Sequence, residues 1–369
     1  MATATTNDLQ KNTLAPLPTV MRAAVYRGVN DVRVETVPVP EIGAGEVLIR
    51  VHSCGVCGTD LKKIHTGSHS APRIFGHEIS GVIAATGHGV QGFAVGDRVM
   101  VFHHTPCGRC YYCRKKTPSQ CNDYKRVGVT AGFEPSGGGF AEYVRVMPWI
   151  VGRGLIRIPD AVPFEQAAFV EPVNTTYKAI RNLALEPDET VLVIGQGPIG
   201  ILLAALAART GAKVLTSDLY PERHEIAAQY GLNHPIDASK EDVVAVAHRE
   251  SEGRGADAVI LAVPGNGLIK TAMDAARPGG RVLLFAATQH TEAIFDPAVV
   301  CMDEKTLMGS YSSAFELQPE VESVVFGGYR NGFDLTQLIS HRYSLEDAVE
   351  AIRVASNPCP SSMKVFVQP

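Results

Sequence analysis

Residues 191–200 constrain this chain more than any other segment. Val191 to Ile194 is uninterruptedly apolar, and Gly195-Gln196-Gly197-Pro198-Ile199-Gly200 follows at once and opens a second apolar run. The apolar run reads as a strand, and the spacing after it reads as a helix from Pro198 to Arg209. Gly195 permits a tight turn, Gly197 lets backbone approach a pyrophosphate, and Gly200 lets the helix pack closely on its sheet. Pro198 and Ile199 begin a helix whose free N–H groups and positive dipole suit phosphate. The alternation continues through apolar Lys213–Ser217, helical Glu222–Tyr230, apolar Ala256–Val263, helical Gly267–Ala276 and apolar Arg281–Ala286. That is the pattern of βαβ units in a doubly wound parallel sheet.

Asp218 stands eighteen residues after Gly200, at the end of the next predicted strand. A carboxylate there accepts hydrogen bonds from adenosine ribose hydroxyls and repels a 2′-phosphate, which favours NAD over NADP. Arg223 lies near enough to soften that preference. The bland alternative is a glycine-rich turn in some other α/β protein, with Asp218 as a helix cap. Strand, helix and acid in one register outweigh it.

A second constraint is Cys107, Cys110, Cys113 and Cys121, spaced Cys-x2-Cys-x2-Cys-x7-Cys. One short loop with this spacing can wrap four thiolates tetrahedrally around a zinc ion, and Arg109, Arg114, Lys115 and Lys116 help offset their charge. Two disulfides or four unrelated core thiols are the alternatives. All four positions are thiolates, so such a site is structural and leaves no place for substrate.

The 369 residues carry a net charge of −4, which offers no basic surface for a phosphate backbone and argues against a nucleic-acid partner. The eight cysteines form no disulfide framework, pointing to a reducing, cytoplasmic compartment. The longest apolar segment, near Ile199 to Ala208, falls short of the about 18 residues a membrane span needs. Residues 1–20 lack a basic start and an apolar core and read as a disordered tail. From Met21 to about Met147 the chain is turn-rich and β-like, with no long amphipathic helix, and near Pro163 helical spacing begins. After Lys305 it changes again, with helices near Leu317–Phe326 and Ser344–Ala355 and a last strand Met363–Val367 that could return to the first domain.

Cys57-Gly58-Thr59-Asp60 and Gly76-His77-Glu78 supply soft, borderline and hard ligands about twenty residues apart, and Glu171-Pro172 adds a carboxylate. A mixed set suits a catalytic zinc that keeps one position open. Taken singly, Cys57 is more often a small buried residue and His77 a satisfied one.

These motifs in this order, the cysteine lobe and the glycine fingerprint included, resemble the zinc-containing medium-chain dehydrogenases across about Met21 to Pro369. The branch with sorbitol, other polyol and threonine dehydrogenases is the most similar, because Glu-Pro stands where many simple alcohol dehydrogenases have cysteine. The resemblance implies an α/β protein with a GroES-like β-rich catalytic domain over 21–173 and 312–369 and a Rossmann domain over 174–311. It implies two zinc ions per chain, one structural and one catalytic. Cys57, His77 and Glu78 then belong to the catalytic site, with Glu171 binding directly or through water. The pattern places the ligand just before Gly-Thr-Asp, hence Cys57 rather than Cys54.

The implied reaction passes a hydride between a secondary alcohol and NAD. Thr59 contacts the substrate oxygen and starts a proton relay, and Asp60 orients a ligating histidine. Lys62 stands where several relatives carry the histidine that ends the relay, which leaves proton exit open; His65 and His69 read as exposed. Polyol dehydrogenases often have an arginine in the segment that is here Gly309-Ser310-Tyr311-Ser312-Ser313-Ala314. Its absence weakens a polyol reading, while Ser312 and Ser313 suit a polar alcohol or sugar derivative. Relatives form homodimers or homotetramers by joining sheet edges, for which Val299 to Leu307 is the counterpart. A zinc-independent quinone or enoyl reductase shares both domains but has no use for the ligand set. A non-catalytic zinc or NAD module has no use for Thr59 beside it.

Overall fold

Thr190–Ile194 is buried along its whole length, and in the computed structural model it is a central strand of a six-stranded sheet. The structure describes residues 12–13, 16–123, 137–286 and 292–369. Two compact units emerge: Met1–Glu171 with Glu322–Pro358 and Lys364–Pro369, and Pro172–Val321 with Cys359–Met363.

In the second unit the strands are β1 (Thr190–Ile194), β2 (Lys213–Asp218), β3 (Pro235–Asp237), β4 (Ala256–Leu261), β5 (Ala276–Leu284) and β6 (Thr306–Gly309). They lie in the order β3-β2-β1-β4-β5-β6, every pair parallel. Leu192, Leu215, Val259 and Val282 of the sheet share a core with Ile269, Ala272 and Met273 of the helix Asn266–Ala275. Strand order reverses between β1 and β4, and ligands of such sheets bind outside the carboxyl ends at that point. The 195–200 turn leaves β1 there. The segment Val299 to Leu307, anticipated as an edge strand, is helical over Pro297–Cys301 and extended only from Thr306. Asp296 caps that helix and Pro297 fits its first turn.

The first unit is β-rich. Val47–Gly55 pairs antiparallel with Glu78–Thr86, Tyr143–Val146 and Lys364–Gln368, within an eight-stranded sheet whose C-terminal strands do return to this unit. Ile49, Val51, Ile79, Ile83, Val144, Val365 and Val367 form its core. Gly55 registers against both Glu78 and Phe366, which draws two distant segments to one spot. Within the segment expected to be a disordered tail, Asn12–Thr13 pairs with Thr86 and Ala85; residues 1–11 and 14–15 lie outside the described residues. Among the described residues the β-like stretch is interrupted by a nine-residue helix, Gly58–Thr66, capped by Cys57, and by the short helix Tyr111–Arg114.

Candidate metal centre and cofactor site

Cys57 occupies the N-cap of Gly58–Thr66, so its thiol faces the helix's positive end, and the Thr59 N–H approaches its Sγ at 3.5 Å. Asp60, three residues on, completes a capping box by accepting from the Cys57 N–H at 3.2 Å. The same buried carboxylate accepts from Gly76 N–H at 3.4 Å and from His77 Nδ1 at 3.0 Å. A carboxylate can only accept here, so the shared proton sits on Nδ1 and the Nε2 lone pair is left for a metal. Asp60 thus locks both the cysteine loop and the histidine.

Three clusters of possible metal donors occur among the described residues, each with ligand atoms within 4.8 Å of one another: Cys57, His77 and Glu78; His103, His104 and Glu171; and the four lobe cysteines. The first cluster joins the residues that the sequence put together. Glu171 instead faces the histidine pair, with His104 Nε2–H donating to its Oε1 at 2.7 Å. Cys54 is apart, fully buried, its Sγ so close to Gly76 and Gly139 that a Cβ on either would meet it at 2.8 or 2.6 Å.

The two glutamates differ in what holds them. Burial pushes Glu78 up, against the pull of Lys364, whose Nζ donates to its Oε1 at 2.6 Å. Burial also opposes ionisation of Glu171, yet the His104 hydrogen bond and neighbouring charges hold it below its ordinary value. Glu78 Oε2 is buried without a hydrogen-bond partner, and a Cβ on Gly55 would stand 2.0 Å from it. A mixed sulfur, nitrogen and oxygen donor set with one orphaned carboxylate oxygen fits zinc. Sequence reasoning missed Lys364, His103 and His104. The last two were visible as a His-His pair just before the cysteine lobe, whereas nothing local marks Lys364.

All eight cysteines are free thiols. In the lobe, Cys110 and Cys107 Sγ lie 3.5 and 4.0 Å from Cys113 Sγ, while Cys107 N–H and Cys110 N–H point at Cys121 and Cys107 sulfurs at 3.5 and 3.4 Å. Burial and the neighbouring Cys110 thiol push Cys113 up to about 12, because thiolates this close repel unless a cation sits among them.

Thr59 is exposed and Lys62 half-buried. His65 is exposed but hydrogen-bonds Asn30 and Ser356 at 2.6 and 2.9 Å. His69, expected to be exposed, is half-buried and lies edge-on to Phe75. Ser313 is buried and Ser312 takes a φ of +62°.

In the second unit Gly195 has φ +96°, donates to Ser217 O at 2.7 Å, and would carry a Cβ only 2.3 Å from Val263 Cγ1. A Cβ on Gly200 would stand 1.8 Å from Gly195 O, so the helix opening at Pro198 with Ile199 packs directly on the turn. A Cβ on Gly197 would meet nothing within 4 Å, which leaves that face open to a phosphate. Asp218 accepts from Gln196 N–H at 2.6 Å, Leu219 N–H at 2.8 Å and Tyr220 N–H at 3.1 Å, and Arg223 Nη1 lies 3.3 Å away. The carboxylate is fixed at the strand end beside the glycine turn. The arrangement fits a dinucleotide.

Residues 43–160 match the alcohol dehydrogenase GroES-like domain and residues 198–325 match the zinc-binding dehydrogenase family. The sorbitol dehydrogenase of Bacillus subtilis is 30% identical over 96% of this chain and 98% of its own length. An L-threonine 3-dehydrogenase of Rhizobium johnstonii is 33% identical over 85% and 88%. The crystal structure of 2R,3R-butanediol dehydrogenase from Bacillus subtilis superposes with a TM-score of 0.80 at 29% identity, covering 95% of this chain and 99% of that one. With the fold, the ordered motifs and these likenesses in agreement, the chain belongs to the zinc-containing medium-chain alcohol dehydrogenase family.

Proposed function

We propose that the protein is a zinc-dependent oxidoreductase that moves a hydride between a polar secondary alcohol and NAD, giving the ketone. One observation carries this reading: a mixed donor set of half-buried Cys57 with buried His77 and Glu78 lies in the same unit as a saturated four-thiol set. The first retains room for a substrate oxygen and the second does not.

Zinc at the mixed set supplies Lewis acidity that lowers an alcohol's pKa, and NAD supplies the hydride acceptor. Asp60 holds the His77 proton on Nδ1 and so keeps Nε2 aimed at the metal. His104 fixes Glu171 through Oε1, leaving its second oxygen for the metal or a water beside it. Thr59, exposed at the first turn of its helix, takes up the alcohol proton and passes it towards solvent. The 195–200 turn would hold the pyrophosphate, and Asp218 would bind the adenosine ribose. A reducing, cytoplasmic setting suits a chain that needs five cysteines as metal ligands, and β6 at the sheet edge supports homodimers or homotetramers.

Elemental analysis tests the metal reading: two zinc ions per chain are expected, and a chelator should remove one with loss of NAD reduction while the fold survives. One ion with unchanged turnover overturns it. A screen of NAD reduction across secondary alcohols, polyols, sugars, sugar phosphates and amino-alcohols identifies the substrate.

A further inference from the structure

His103 and His104 follow the strand Arg98–Val101, along which adjacent side chains point to opposite faces. A three-residue turn ends that alternation: the Thr105 N–H donates to His103 O at 2.8 Å, and the two imidazoles lie with centroids 3.9 Å apart. Glu171, at the start of the helix Val170–Leu183, comes to the same spot. The three residues are 2%, 8% and 4% exposed, and one donor atom from each lies within 4.8 Å of the other two.

Whatever sits among these donors has to answer two observations. Neither ring nitrogen of His103 makes a hydrogen bond among the described residues, so a buried polar ring is left uncompensated here. His104 Nε2 and Glu171 Oε1, by contrast, share one proton at 2.7 Å. A water satisfies His103 but adds nothing to that pair. A divalent cation uses all three donors and takes the place of the shared proton. Two imidazole nitrogens and one carboxylate oxygen are a donor set of open zinc sites. Tetrahedral bonds of about 2.0–2.1 Å set neighbouring donors about 3.3 Å apart, so His104 and Glu171 have to separate by only roughly 0.6 Å.

We propose that His103, His104 and Glu171 form a third metal site, for a zinc-type divalent cation, beside the Cys57, His77 and Glu78 set and separate from the four-thiol lobe. The His77 and His103 rings meet edge-on with centroids 5.4 Å apart, so the two cations are neighbours. The third site has one carboxylate and no thiolate, and it lies next to a set that holds its own zinc. Its cation is therefore held less tightly than the two zinc ions above and exchanges with free metal. Glu171 contributes the Oε1 that now faces His104, which leaves its other oxygen in the role given it above. The site goes beyond the dehydrogenase reading and is independent of which alcohol is oxidised.

The test counts metal rather than turnover. Protein carrying its tightly held ions is titrated with zinc in a calorimeter, and ions per chain are counted after equilibrium dialysis against free zinc. Wild type is compared with His103→Leu and His103→Phe, two apolar replacements of different size, so that poor packing of one does not decide the result. The expected outcome is one further, weaker ion in wild type and unchanged tight ions in all three proteins. A ligand should count for more than the about 10- to 100-fold that an outer partner is worth, so both variants should lose the weaker ion at concentrations that fill it in wild type. Repeated with cobalt, the further ion should add absorption without the sulfur-to-cobalt charge-transfer band that Cys57 or the lobe would bring. No further ion in wild type, a further ion that both variants still bind equally, a sulfur band on that ion, or loss of a tight ion from the variants each overturns the site. Failure of the dehydrogenase reading shows separately, as no NAD reduction with any alcohol, and leaves the metal count to decide the third site.

Discussion

Lys364 Nζ donates to Glu78 Oε1 at 2.6 Å, and the two side chains are only 8% and 1% exposed. The pairing of the last strand with Val47–Gly55, and of that strand with Glu78–Thr86, brings them together. Burial would depress the lysine, but Glu78 raises it, and Lys364 in turn pulls Glu78 down against the burial that pushes it up. Removing one partner of a buried pair costs about 3–5 kcal/mol, because the other charge is left alone. Lys364→Met is therefore expected to lose stability of that order in urea denaturation, and Glu78→Gln combined with Lys364→Met to regain part. A coupling energy below about 0.5 kcal/mol in that cycle would mean the pair adds nothing.

Asp60 is the next position to test, since one carboxylate holds Cys57 N–H, Gly76 N–H and His77 Nδ1. Asp60→Asn keeps the shape but places an amide where His77 must donate. A partner of this kind is worth about 10- to 100-fold in metal affinity. Competition with a chelator should show that loss for one zinc ion and none for the other, because the lobe cysteines make no bond to Asp60 in this fold. Equal affinity in the variant would remove Asp60 from its positioning role.

How much of this was legible follows from how far apart the partners lie. The glycine turn and the cysteine lobe are local: Gly195 to Gly200 and Cys107 to Cys121 each carry their geometry within one short segment. Their spacing therefore reads directly as a turn beside a phosphate and as a four-thiol cage. The Glu78 partner is 286 residues away, and the Glu171 partner 67 away. No periodicity encodes such contacts; sheet register creates them. The helix Gly58–Thr66 escaped because it is short and its cap is a cysteine rather than Ser, Thr, Asn or Asp. Val299 read as strand from its apolar neighbours, yet Asp296 and Pro297 before it are helix-start signals that decided the outcome.

Asp218 governs the cofactor prediction. Its carboxylate is fixed by three backbone N–H groups, with Arg223 at 3.3 Å. Replacing it with serine removes the charge that opposes a 2′-phosphate and frees the Arg223 guanidinium to meet one. The ratio of kcat/KM for NAD over NADP should fall by about tenfold or more, equivalent to about 1.4 kcal/mol. An unchanged ratio in Asp218→Ser would place ribose recognition elsewhere.

A pH-dependent prediction concerns Cys359, an exposed thiol outside the three donor clusters. Hydrogen bonds from Ser361 and Ser362, whose Oγ atoms lie 3.4 and 3.1 Å from its sulfur, lower it from its ordinary 9.0 to about 7. Stabilising the thiolate moves its appearance to lower pH, and only the thiolate attacks an alkylating agent. Iodoacetamide labelling, followed peptide by peptide in the mass spectrometer, should therefore rise with a midpoint near pH 7 at Cys359. Ser361→Ala with Ser362→Ala removes both donors, and the midpoint should then move up towards 9. If the double variant keeps the wild-type midpoint, the serine hydroxyls are not what activates this thiol.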